Sequence, residues 1–139
     1  MHQGDENDGF IGLDGRLGGA WRDRLHTSTG VIKVLEFIEK YGCSAISIKQ
    51  LEDVSGMSRR NLERAFMKHS RTTPTRLLLQ FRMERAKSLL LHSEFHPDTL
   101  ARMTGYASAK TFGAAFRRYT GLNIRQFRKQ PSATRNFRT

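Results

Sequence analysis

The chain has 139 residues, with 24 Lys and Arg against 13 Asp and Glu, a formal net charge of +11 and a sequence pI near 10.7. Hydrophobic residues make up 37%, enough for a small core, yet no run approaches the ~18 apolar residues that a membrane span requires. The lone Cys43 excludes an internal disulfide and a cysteine-rich zinc site, and the acidic start has no apolar segment of a secretory signal, so the composition reads as cytoplasmic.

Residues 1–27 hold six of the twelve glycines and no sustained periodicity. They read as a flexible leader, with Trp21 and Leu25 as its candidates for contact with the folded part. From residue 31 to 130 the apolar spacing is helical, and no alternating strand is convincing. Val31, Val34, Leu35, Ile38 and Tyr41 mark one amphipathic helix that ends near Gly42. Ser47 and Gln50 form a capping-box pattern ahead of Leu51 and Val54, and Gly56 closes that short helix. Ser58 caps the next, where Leu62, Ala65 and Phe66 face inward. Thr73 followed by Pro74 opens a long helix carrying Leu77, Leu78, Phe81, Ala86, Leu89 and Leu90, ending near His92. Pro97 opens a short helix with Leu100 and Met103, closed near Gly105. Ser108 caps a helix with Phe112, Ala115 and Phe116, ended by Gly121, and Asn123 caps a last one containing Phe127. From Pro131 on, a frayed basic tail is expected.

The helices repeat. Leu51, Val54 and Gly56 overlay Leu100, Met103 and Gly105 at an offset of 49, and Ser58, Leu62, Ala65 and Phe66 overlay Ser108, Phe112, Ala115 and Phe116 at 50. Lys68 then meets Arg118, and Thr73 meets Asn123. Each copy is a short helix, a glycine turn and a Ser-capped amphipathic helix, which is the helix-turn-helix pattern. Charge agrees with pattern. Residues 31–139 carry 21 basic and 8 acidic side chains, a net of +13, while residues 1–30 are net −2. So strong a positive field on a small domain favours a polyanion: DNA, RNA or an anionic membrane surface. The expected fold is all-α: about seven helices, as two helix-turn-helix subdomains (28–72 and 93–130) joined by a linker helix (73–92), with the leader and the tail (131–139) outside. A rigid helix over Pro74–Leu91 spans about 27 Å, comparable with the ~34 Å between successive major-groove faces on one side of B-DNA.

Two ordered runs carry a family resemblance. The first runs from Gly56 through Ser58, Arg59, Arg60, Leu62, Ala65 and Phe66 to Pro74, then Phe81, Arg82, Arg85, Ala86, Leu89 and Leu90. The second comprises Gly105, Tyr106, Phe112, Ala115, Phe116, Arg117, Arg118, Gly121, Phe127 and Arg128. Residues 31 to about 129 thereby resemble the AraC/XylS family. The resemblance implies a bacterial transcription regulator, more often an activator, whose third and sixth helices enter the major groove and which can also touch RNA polymerase. Double-stranded DNA is the implied partner, with no cofactor, no membrane and a cytoplasmic, nucleoid-associated location. Two heads in one chain favour a monomer.

In the first recognition helix, Arg60 and Arg64 lie four apart on one face, and each can bond guanine bidentately. Glu63 can accept from cytosine or steer an arginine, and Asn61 can pair with adenine or face the phosphates. The second head is poorer. Glu63 and Arg64 overlay Gly113 and Ala114, leaving Lys110 and Thr111 as its base-contact candidates. Phosphate contacts are expected from Ser58, Arg59, Lys68, Arg76, Ser108, Arg117 and Arg118, with Lys87, Arg125, Arg128 and Lys129 as further basic candidates. Arg82 and Arg85 either join them or pair with Glu84 to lock the linker helix.

Three residues depart from the family pattern. Arg71 stands where a helix-ending glycine is usual, at a cost of about 1 kcal/mol in a left-handed cap. Ile124 replaces a usual proline. Pro97 replaces a usual aliphatic residue, which should weaken packing of the fifth helix. Many members also carry a sensing or dimerising domain. A chain of this length is then either a stand-alone member or a DNA-binding segment that needs a separate domain. His92 and His96 do not share a helical face for a metal, and Cys43 lacks a visible base, so no enzyme is expected. A nonspecific nucleic-acid binder and a protein-binding helical module remain the competing function classes.

Overall fold

The computed structural model describes residues 29–130; the leader with Trp21 and Leu25, and the tail, lie outside them. Every regular element among the described residues is an α-helix: α1 (Thr29–Tyr41), α2 (Ile48–Ser55), α3 (Arg59–Ser70), α4 (Pro74–His92), α5 (Pro97–Met103), α6 (Ala109–Thr120) and α7 (Ile124–Lys129). The helix starts are written in the side chains. Ser47, Ser58, Thr73, Ser108 and Asn123 each accept a bond from the backbone N–H three residues on. At Ser47 and Asn123 the third residue, Gln50 or Gln126, returns a bond to the cap N–H, completing a capping box. His96 caps α5 with its ring Nδ1, which accepts from the Asp98 N–H at 3.2 Å.

Two separate cores form. Val31, Val34, Leu35 and Ile38 of α1 close on Leu51, Leu62, Phe66, Leu77, Leu78 and Phe81. Met83, Ala86 and Leu90 close on Leu100, Ala101, Phe112, Phe116 and Phe127. Both draw on α4. At 100° per residue, Leu77, Leu78 and Phe81 cluster on one side of that helix, and Met83, Ala86 and Leu90 lie on roughly the opposite side. α4 therefore buries its N-terminal half in one subdomain and its C-terminal half in the other. Helix contacts follow the same division: α1 packs on α2, α3 and α4, while α6 packs on α4, α5 and α7.

Three expectations are corrected. Tyr41 and Met103 project outward, 41% and 39% exposed, at the last turns of α1 and α5. Pro97 does not loosen α5. It occupies the first helical position, where a missing N–H costs nothing, and Leu100 and Ala101 one turn in are fully buried.

Arg71 ends α3 with φ 58° and ψ 30°, the left-handed conformation that Gly121 adopts at the end of α6 with φ 82°. It is the one non-glycine residue with positive φ among those described. Arg71→Gly should therefore stabilise the domain by about 1 kcal/mol, raising Tm by about 4–8 °C for a domain of this size. Thermal unfolding followed by circular dichroism would measure it.

Candidate nucleic-acid interface

In α3, Leu62 and Phe66 pin one side of the helix into the first core. The opposite side is a solvent-facing stripe of Arg60, Arg64, Met67 and Arg71, flanked by Asn61 and Lys68. Arg59, also exposed, pairs with the half-buried Glu63 four residues on, Nε to Oε2 at 3.2 Å. That bond orients the carboxylate toward Arg59 and away from the stripe's two leading arginines. The Ser58 hydroxyl accepts from the Asn61 N–H at 3.2 Å, so its oxygen is a cap and its proton is left to donate. The N–H groups of Arg59 and Arg60 have no intrahelical partner, as at any helix start.

α6 repeats the geometry with different chemistry. Phe112 and Phe116 hold it to the second core, and Phe116 meets Phe127 edge-on with ring centroids 5.4 Å apart. The outward stripe is Lys110, Ala114, Arg117 and Gly121, flanked by Thr111 and Arg118. A Cβ built on Gly113 meets nothing within 4 Å, so this position of the second head is open as well as bare. The Ser108 hydroxyl donates to Thr111 Oγ1 at 3.0 Å and accepts the Thr111 N–H at 3.1 Å, which ties the Thr111 side chain to the helix start. Arg76 is exposed on the first turn of α4.

Seven of the eight acids of residues 31–139 lie off α3 and α6. Glu36 and Glu39 lie on α1, Glu52 and Asp53 on α2, Glu94 in the loop before α5 and Asp98 at its start. Glu63 is held by Arg59, and Glu84 is buried. Among the described residues, Glu63, paired with Arg59, is thus the one carboxylate on either of the two helices.

Some basic residues expected at phosphates turn inward. Lys87 is 3% exposed, and its Nζ bonds Glu84 Oε2 at 3.1 Å. The same oxygen accepts the Tyr119 hydroxyl at 2.7 Å, clamping α4 to α6. Arg128 donates to the Phe95 carbonyl and holds α7 to the loop before α5. Arg82 does not pair with Glu84. Its Nε and a terminal nitrogen donate to the carbonyls of Gly42 and Ser44, each at 2.8 Å. Arg125 and Lys129 remain exposed. Position alone could not separate these roles, because a lysine on a helix looks the same facing a buried carboxylate or solvent. Arg82 was the residue least legible in the sequence, a tie to carbonyls 38 and 40 residues away.

Residues 51–130 match the family profile of a helix-turn-helix domain. The chain belongs to the AraC/XylS family. This AraC/XylS chain is 28% identical over 105 residues to the xylose operon regulatory protein of Escherichia coli K12, covering 76% of this chain and 27% of that protein. It is 32% identical over 95 residues to the raffinose operon transcriptional regulatory protein RafR of Pediococcus pentosaceus, covering 68% of this chain and 34% of RafR. The chain thus spans about a quarter to a third of the curated relatives it matches. Among solved structures, the C-terminal domain of AraT, a response regulator from Geobacillus stearothermophilus, superposes with a TM-score of 0.71 at 26% identity, covering 76% of this chain and 87% of that one. The DNA-binding domain of AdpA, solved with a target DNA, shares the fold with a TM-score of 0.66 at 24% identity, covering 78% of this chain and 95% of that one. No cluster of potential metal ligands, and no helix long and apolar enough to cross a membrane, occurs among the described residues.

Two measurements follow from the inward-facing groups. Lys87→Ala takes from the buried Glu84 carboxylate its charged partner and should cost about 3 kcal/mol of stability, whereas a phosphate contact would instead appear as a lower salt slope of DNA binding. Chemical denaturation and salt-dependent titration separate the two. Cys43 is half-buried beside Arg82 and Arg85, and burial raises its thiol pKa against the opposing pull of those charges. Burial likewise raises Tyr106 in spite of Arg82. An acid held neutral by the fold favours unfolding once the unfolded form ionises, so stability should fall as pH climbs above the ordinary thiol range. Urea titrations across that range, on the parent and on Cys43→Ser, should show the first part of the decline flattened in the variant.

Proposed function

We propose that this chain is a sequence-specific DNA-binding transcription regulator that sets α3 and α6 into successive major-groove segments. The observation that carries the reading is the pair of exposed, basic stripes on two helices held by one 19-residue helix, α4. α4 spans about 28 Å at 1.5 Å per residue, close to the ~34 Å repeat of the groove. Family membership and the roles of the relatives, operon regulators among them, support the same reading. Activation, with contact to RNA polymerase, is the form of regulation we favour, in the cytoplasm at the nucleoid. A monomer suffices for two heads.

Within that reading the heads divide their labour. Arg60 and Arg64 bond guanine edges, Asn61 reads adenine, and Glu63 positions Arg59 and accepts from a cytosine amino group. Met67, 48% exposed in the same stripe, suits a thymine methyl. Lys110 and Thr111 are what the second head offers to bases. Ser58, Arg59, Lys68, Arg76, Ser108, Arg117 and Arg118 hold phosphates. The first head therefore supplies most of the base discrimination, and the second supplies backbone affinity and shape reading.

Selection from random duplexes tests this. The expected product is two motif halves about one helical turn, ~10 base pairs, apart, with stronger information in one half. Arg64→Ala should cost about 1–3 kcal/mol of discrimination at its base pair. Lys110→Ala, which removes a flexible point charge with little power to tell bases apart, should weaken all sequences nearly alike and lower the salt slope by about one. Equal loss of specificity from both substitutions would overturn the division of labour. Affinity set by salt alone, with no enriched motif, would favour a nonspecific binder.

A further inference from the structure

The two halves share α4, but a helix alone does not fix their relative rotation. One side chain sits where they meet. Arg82 lies between Phe81, the last residue given to the first core, and Met83, the first buried residue of the second. At 100° per residue it points along the seam between the two buried sides of α4. Toward the first subdomain its guanidinium holds the Gly42 and Ser44 carbonyls at the end of α1, each at 2.8 Å. Toward the second it lies over the Tyr106 ring, its central carbon 5.3 Å from the centroid. Tyr106 in turn packs edge-on against Phe112 of α6 at 5.8 Å. Gly105 completes the seam. A Cβ there would meet the Ser44 carbonyl at 2.8 Å and Arg82 Nε at 2.9 Å, and its φ of 93° already suits only glycine.

The guanidinium thus bridges the loop after α1 to the turn before α6 in one planar group. Its two donors fix the angle to the carbonyls, and its face fixes the position of Tyr106. A lysine, with one point charge on a flexible stem, could not do both.

We infer that Arg82 is a positioning residue that locks the rotation of the second helix-turn-helix subdomain against the first, and so selects the spacing of the two half-sites. The second clause rests on the proposed two-headed reading of DNA; the first does not. Spacing is a sensitive readout because each inserted base pair rotates one half-site against the other by about 35° and moves it about 3.4 Å.

The test uses the whole chain and three variants: Arg82→Ala, Arg82→Lys and Gly105→Ala, the last wedging the same seam from the opposite side. Residual dipolar couplings of the free protein report the first clause. One alignment tensor should fit both subdomains in the parent, and separate tensors should be needed in each variant. Binding to a spacer series of the selected site reports the second. The parent should prefer its spacing by about tenfold over one base pair more or less, and the variants by about threefold or less. Affinity for each isolated half-site should stay within about twofold, which a merely unfolded variant would not give. A single unchanged tensor in Arg82→Lys and Gly105→Ala, with the spacing preference intact, would overturn the inference. If the parent selects no sequence, the functional reading fails, and the couplings alone still decide whether Arg82 is the brace.

Discussion

The structure depends on one helix serving two cores at once. α4 presents Leu77, Leu78 and Phe81 to one side and Met83, Ala86 and Leu90 to the other. A helix in one globular core carries a single apolar stripe, and its solvent side can tolerate almost any polar residue. α4 has no such freedom over most of its length. Three of its polar side chains are drawn into the structure as ties: Arg82 to the end of α1, and Glu84 with Lys87 to Tyr119 of α6. Gly42 is part of the same constraint. A Cβ there would meet the Phe81 ring at 2.6 Å, so the chain leaving α1 passes directly against the face of α4.

This arrangement separates two properties that a single core would merge. Each subdomain takes its stability from its own apolar cluster, while the angle between them is carried by a few polar contacts. Polar ties suit that task because hydrogen bonds are directional and apolar burial is not. The recognition helices gain accordingly. Each is pinned by two large residues, Leu62 and Phe66 or Phe112 and Phe116, leaving its outward face free to vary. The first head uses that freedom for arginines, and the second gives it up at Gly113 and Ala114.

Much of this was legible in the residues. The caps at Ser47, Ser58, Thr73, Ser108 and Asn123 are local chemistry, settled within four residues, and each stands where its side chain and spacing put it. The left-handed turn at Arg71 followed from its register with Gly121 across the repeat. The buried residues of α3 and α6 followed from helical periodicity, because a period of 3.6 states which residues share a side. What periodicity does not state is which of two partners a side will meet. Lys87 belongs to an ordinary-looking polar position three residues from Glu84 on α4, and only the arrival of α6 with Tyr119 encloses the pair.

By itself, then, the sequence determined the helices of residues 29–130, the repeat and the outward stripes, since all of these are written in residue spacing within a turn or two of chain. Tertiary structure alone decided which cations are exposed and which are structural. The Arg82 bonds close across 38 and 40 residues, and the bond from Tyr119 to Glu84 across 35. Such contacts exist only after both cores have formed on α4. Local spacing carries no record of them, because the groups that decide each role are brought together by the packing of distant helices.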